Sequence, residues 1–319
     1  FPAFTPYAKA LVGVIGLMLL PLLAGTVDRE SDAAIEAGTA KFNPLRTNRA
    51  EFYAFFLFSI TGLMLTASAD DLIWLFLALE LTSLPTYIMV TISTRGTRSQ
   101  EAGVKYFFLG ALGAAVFLYG FAMLYGASGT TNLAEIAAAF KTQAAAGGIN
   151  PIGIAGLTIA ILGLAFKIAA VPMHMYAADV YQGAASGVSA MLAFVPKAAG
   201  FFALIMIVAL AGWDHGALHD SLPSAIYILL WVMAAATMTV GNVLAIRQTS
   251  VKRMLAYSSV AHSGYMIVGL IAGPGNADGA FWSNGIAAIL FYLLTYGVAN
   301  IGVFAVLASI EKGGSSGEE

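Results

Sequence analysis

Apolar residues in this chain gather into long runs separated by short polar stretches. A helix needs about 20 mostly apolar residues to cross a bilayer. That rule places nine candidate spans at roughly 8–25, 51–69, 71–92, 103–126, 151–171, 185–211, 222–246, 252–272 and 282–310. No segment alternates as a barrel strand would, and lipid offers nothing to an open backbone, so helices are expected. The predicted fold class is all-α: a polytopic transmembrane helical bundle, with residues 1–319 forming a single membrane domain.

The polar stretches orient the spans. Counting alternate loops, one set carries Arg29, Lys41, Arg46, Arg49, Arg95, Arg98, Arg247, Lys252, Arg253 and Lys312; the other carries Lys9 and Lys141. Basic residues concentrate on the cytoplasmic side of a membrane. Ten against two therefore puts the first set in the cytoplasm, or in the matrix if the membrane is mitochondrial. The bacterial inner membrane is the expected location, with the mitochondrial inner membrane as the alternative.

Composition agrees with the pattern. The chain is 59% hydrophobic and 10% charged, where soluble domains average about 25% charged. It has no cysteine, which excludes an iron–sulfur cluster held by cysteines of this chain and any disulfide framework. No Walker A pattern and no Gly-x-Gly-x-x-Gly between a strand and a helix is present, so nothing points to nucleotide binding. Residue 1 is Phe, the chain begins just before a span, and it ends in the polar EKGGSSGEE. It is expected to be a piece of a longer membrane protein.

Against this background the ionisable residues inside apolar runs stand out. Lys167 lies in IGIAGLTIAILGLAFKIAAV, Glu80 in LIWLFLALELTSLPTYIMV and Lys197 in GVSAMLAFVPKAAGFFALIMIVAL; Lys105 opens VKYFFLGALGAAVFLYGFAML. An intramembrane charge costs roughly 2.5–3.5 kcal/mol on insertion scales and is carried where it lines an ion path or meets a partner. These four make the chain a candidate carrier of protons or cations. Glu80 is expected to pair with a lysine, the alternative being a structural, neutral acid. Lys167 could instead extend its head to the interface. Lys197, about a dozen residues into its span, could hardly do so. Lys105 could snorkel or pair locally with Glu101, four residues earlier. Glu80 and Lys167 are predicted to lie within one helix diameter of each other.

The helix carrying Lys167 is expected to break between about 167 and 175. Pro172 cannot donate to the Ile168 carbonyl, and its ring clashes there. The following AADVYQGAASG lacks the basic residues of an inside loop and reads as a re-entrant or interfacial piece. Two histidines sit near this machinery. His174 follows Lys167 by seven residues, and His262 lies among Ser258, Ser259 and Ser263, a polar stripe suited to water. Each could shuttle protons or simply be packed. His215 and His219 in WDHGALHD are read as a solvated loop rather than a metal site. The glycines, among them Gly103, Gly110, Gly113 and Gly120 in one span, are read as close helix packing.

Four stretches carry a family resemblance: SADDLIWLFLALELTSLPTY, EAGVKYFFLGALGAAVFLYGFAMLYGASGTTNL, FKIAAVPMHMYAADVYQGA and RQTSVKRMLAYSSVAHSGYMIVGL. They resemble the antiporter-like membrane subunits of proton-pumping NADH:quinone oxidoreductase, respiratory complex I, and within these the N-type. The resemblance implies fourteen helices built on two inverted five-helix repeats, each with a broken helix. The first repeat would be whole at 51–211 and the second incomplete at 222–310. It assigns proton-path roles to Glu80, Lys167 and Lys197, with Lys105 and His174 as auxiliary residues. His262 joins the candidate path from its place in the polar stripe. The family usually has proline where Ala178, Ala185 and Gly187 stand, and tryptophan at Tyr176. The implied function is proton translocation coupled to electron transfer elsewhere, by a chain without a redox centre. NADH, FMN, iron–sulfur clusters and quinone would belong to the rest of the complex, and the partners would be neighbouring antiporter-like subunits and the lipid bilayer, not nucleic acid. The alternatives are a subunit of a cation/proton antiporter and a structural membrane subunit without transport.

Overall fold

The computed structural model describes residues 4–24, 26–39, 41, 48–94, 96–215, 221–275 and 284–312. Their helices are, in order, α1 Phe4–Leu23, α2 Arg29–Glu36, α3 Arg49–Thr66, α4 Leu72–Ile92, α5 Thr97–Ser128, α6 Leu133–Ala145, α7 Pro151–Leu164, α8 Ala177–Gly183, α9 Ser186–Ala211, α10 Ser224–Ile246, α11 Val251–Ala272 and α12 Gly285–Lys312. Each predicted run holds a helix. Seven of them (α1, α4, α5, α9, α10, α11 and α12) are long and apolar enough to cross a membrane. The count of nine is not reached on that measure. α3 has 18 residues and carries Arg49 and Glu51 in its first turn, and α7 stops after 14 residues.

Two short helices were not anticipated, because the segments holding them are too polar to read as spans. One of them, α6, buries Ile136 and Phe140, four residues apart on one face. Its start is tied to that of α4. Asp71 caps α4 by accepting from the Ile73 N–H (2.7 Å) and takes the Thr131 hydroxyl at 2.5 Å. The Leu72 N–H donates to Thr131 O, and the Leu133 N–H to Asp70 O. Burial alone would raise the Asp71 carboxyl, but these hydrogen bonds outweigh it and hold the group below its usual range.

α9 is the axis of the bundle. It is buried along almost its whole length and packs against α1, α3, α4, α6, α7, α8, α11 and α12. The outer helices turn large apolar side chains outward, such as Phe108, Tyr119, Trp231 and Ile246. α5 and α7 meet backbone to backbone. A Cβ at Gly163 would fall 2.3 Å from Phe117 N, and one at Gly120 would fall 2.4 Å from Ala160 N. Without strong hydrophobic attraction between helices in lipid, such close approach supplies the dispersion contact.

α7 ends at Leu164, one turn earlier than expected, so Lys167 lies inside the break rather than on the helix. The connector 165–176 leads into α8. Its freed backbone groups are taken up by side chains: the Ser263 hydroxyl donates to Ile168 O (2.5 Å), the Tyr176 hydroxyl donates to Phe166 O (2.8 Å), and the Val171 N–H donates to Thr237 Oγ1 (3.0 Å). The Ile168 carbonyl that Pro172 cannot serve is thus held by α11.

This packing makes three substitutions informative. Gly163→Val should lower the melting temperature of the protein in lipid by several degrees, since overpacking costs about 1–3 kcal/mol. Gly126→Ala, at an exposed helical position with nothing within 4 Å, should not lower it and should raise it slightly, since alanine is the better helix former. Ser263→Ala should cost about 1–3 kcal/mol in the same measurement by leaving a buried carbonyl unpaired.

Candidate functional site

Lys167 reaches from the connector to the middle of α4. Its Nζ lies 3.0 Å from Glu80 Oε1 and donates to Ser83 Oγ at 2.7 Å. Glu80 and Ser83 are three residues apart, so α4 presents them on one face. The Ser83 hydroxyl passes on to Leu79 O at 2.9 Å. The lysine side chain is 1% exposed and that of Glu80 16%, so the pair is enclosed largely by protein. The Phe117 ring, 5.5 Å from Nζ, closes the α5 side. The expected proximity of Glu80 and Lys167 is present as a direct ion pair.

Lys197 follows Pro196 on α9 and is also buried. Its Nζ donates to the Ser259 carbonyl and, at 2.7 Å, to the Ser259 hydroxyl on α11; the Tyr296 ring of α12 lies 4.8 Å away. Tyr181 Oη stands 3.4 Å from the same Ser259 hydroxyl. A cavity of about 10 Å³ lies between the two lysines, lined by Tyr106, Tyr176, Tyr181 and Ser259 as well. That is close to the least volume one water needs. Its polar lining offers such a water several partners.

The other candidates are placed around this pair. His262 is half-buried on α11, with Nδ1 2.5 Å from Tyr292 Oη and its ring 5.0 Å from that of Tyr296. It therefore neighbours the Lys197 end. His174 sits half-buried in the connector, and among the described residues no hydrogen bond joins it to either lysine. Lys105 is 44% exposed and forms the local pair with Glu101 at 2.7 Å, plus a second pair with Asp179 at 2.9 Å. Asp179 on α8 also binds Arg253 of α11 at 2.7 Å. α5, α8 and α11 are thereby joined by one charge network. Near it, a cleft of about 840 Å³ holds the buried Lys252, paired with Glu311 at 2.8 Å. His215 is held by Ala211 O and by backbone bonds to Ser221. His219 lies outside the described residues.

Sequence reading named the charges but missed their neutral partners. Ser83 and Tyr296 look ordinary in an apolar helix, although Ser83 stands three residues from a glutamate; Ser259 was noted only as part of the serine stripe, not as a partner of Lys197. Asp179 was overlooked because its loop was judged by its lack of basic residues. A lone acid in AADVYQGAASG was the available signal. Among the described residues no three His, Cys, Asp or Glu side chains converge as metal ligands.

Chemically, the site holds two buried amines, one with a carboxylate and one, among the described residues, without, separated by space for about one water. It can store a proton, and a shift of the pair geometry would change where the proton rests.

Comparison with known proteins places the chain in a family. The model of the NADH:quinone oxidoreductase/Mrp antiporter transmembrane family matches residues 69–318. NADH-quinone oxidoreductase subunit N of Trichlorobacter lovleyi is 42% identical over 273 residues, covering 84% of this chain and 51% of that protein. The subunit N of Myxococcus xanthus is 42% identical over 283 residues, covering 83% and 53%. The chain thus spans about half the length of the curated relatives it matches. Among solved structures, a chain of respiratory complex I from Thermus thermophilus with bound aureothin superposes with a TM-score of 0.66 at 31% identity, over 94% of this chain and 70% of that one. A chain of the Mrp complex from Dietzia sp. DQ12-45-1b shares the fold, with a TM-score of 0.72 at 24% identity, over 96% and 51%. With its multi-pass helices and a family match over most of its length, the chain belongs to the NADH:quinone oxidoreductase/Mrp antiporter transmembrane family.

Proposed function

We propose that this chain is part of a proton-translocating membrane subunit of an NADH:quinone oxidoreductase, respiratory complex I, of the N-type. The observation that carries the reading is the buried Lys167–Glu80 pair at a broken helix, with a second buried lysine across a water-sized cavity. The sequence likeness to bacterial relatives named subunit N supports the choice of complex.

In this reading Glu80 stabilises the Lys167 ammonium. When a conformational change separates the pair, desolvation favours the neutral amine and the proton leaves. Lys197 receives it through the intervening cavity, and His262 with Tyr292 continues the path towards the second half of the protein. Lys105, in its network with Glu101 and Asp179, and His174 serve the approach to Lys167. Residues 51–211 form the first five-helix repeat, and 222–310 part of the second. In this reading electrons pass through other subunits; the 319 residues contain no cysteine to hold an iron–sulfur cluster. NADH, FMN, the clusters and quinone are assigned to those subunits. The protein lies in the bacterial inner membrane beside other antiporter-like subunits, with its basic loops in the cytoplasm.

Lys167→Ala should abolish or severely cut proton pumping by the complex in sealed vesicles, followed with a pH-sensitive dye. Electron transfer from NADH to an artificial acceptor should continue. Lys167→Arg should rescue pumping only in part, since guanidinium keeps its proton over the useful pH range. Pumping at wild-type stoichiometry in the Ala variant would remove Lys167 from the path. Purification of the native chain without flavin and iron–sulfur subunits would favour a cation/proton antiporter instead.

A further inference from the structure

The two buried lysines are held by different chemistry. Lys167 has a carboxylate at 3.0 Å. Lys197 has no acidic side chain within ion-pair distance among the described residues, although it is only 2% exposed. What it meets, besides Ser259, is the ring of Tyr296 at 4.8 Å. A cation within about 6 Å of an aromatic centroid is attracted by the negative face of the ring. Tyr296 is itself fixed. It stacks on Tyr292 with centroids 6.5 Å apart at 14°, and its ring lies 5.0 Å from that of His262. Its hydroxyl is buried close to Ser259 and Asn300. Its ring face is the part of Tyr296 turned to Lys197.

We propose that Tyr296 is a positioning residue whose ring face holds the Lys197 ammonium in the place a carboxylate occupies at Lys167. The proposal rests on the reading of Lys197 as a proton carrier and adds to it a second residue, on α12. The difference in chemistry matters for transfer. A carboxylate left by its proton-bearing partner becomes an unpaired buried charge, which binds the ammonium strongly. A ring holds the ammonium more weakly and leaves no charge behind when the amine becomes neutral. Lys197 can then give up its proton without a compensating proton arriving elsewhere. Because Tyr296 sits on α12 and touches His262 on α11, movement of either helix alters the hold on a lysine of α9.

The test keeps the size of the ring and changes its charge distribution. In the full-length protein within its complex, residue 296 is replaced by Phe and by mono-, di- and trifluorinated Phe. The charge state of the Lys197 amine is followed by 15N NMR of protein carrying ε-15N-lysine, in lipid and over a series of pH values, with Lys197→Ala assigning the signal. Tyr296→Phe should titrate like the wild type. Each fluorine should raise the neutral fraction of the amine at a given pH, by roughly three- to tenfold in total, and proton pumping should change stepwise along the same series. A neutral fraction independent of fluorination would overturn the proposal. Lys197→Ala serves as the reference for function. If it pumps normally, Lys197 leaves the proton path, whereas the NMR series still decides whether the ring holds the ammonium.

Discussion

A buried lysine stands in the interior of this bundle at the point where the regular helical ladder of hydrogen bonds gives way to turns. Both features are costly in lipid: an unpaired charge, and backbone groups with no helical partner. Much of the packing around α7 and α8 can be understood as the means of meeting these two demands together. Glu80 and Ser83 come from α4, the Phe117 ring from α5, Thr237 from α10 and Ser263 from α11. Helices far apart in sequence therefore converge on twelve residues of connector. If any were displaced, a buried charge, carbonyl or N–H would lose its partner.

The same convergence explains why the surrounding helices pack so closely. Gly200 on α9 allows the connector to pass: a Cβ there would fall 2.6 Å from Ile168 Cγ2 and 2.9 Å from Lys167 Cβ. Gly113 does the same on α5 against Phe166. The aromatic stack of Tyr106, Phe166 and Tyr176 fills the space beside the break, with Tyr106 and Tyr176 at 5.1 Å and 12°. Apolar packing thus sets the lysines at fixed positions, and the network of Lys105, Asp179 and Arg253 ties α8 to the helices on either side.

Much of this was legible before any coordinates. Run length located the helices, because the bilayer imposes a length that composition alone reveals. Pro172 announced the break, and the cost of intramembrane charge singled out Glu80, Lys167 and Lys197. The exact end of α7 was not legible, because the stretch from Gly163 to Val171 is apolar apart from Lys167 whether or not it is helical. Tyr296 was invisible for a related reason. Its importance comes from being opposite Lys197 across a helix interface, which one-dimensional pattern does not encode. Lys252 was read as a simple loop charge, yet it is buried and paired with Glu311, because α12 brings an acid to it from about sixty residues away.

The central claim is that Lys167 and Glu80 are needed together, as a pair, in the interior. Thermal stability of the full-length protein in lipid, measured for Glu80→Gln, Lys167→Met and the double variant, tests it most directly. Breaking a buried pair on one side costs about 3–5 kcal/mol, whereas replacing both partners is often close to neutral. Each single variant should therefore melt well below the wild type, and the double variant should recover much of the loss. Losses that simply add, or single variants as stable as the wild type, would contradict the pairing on which the site is built.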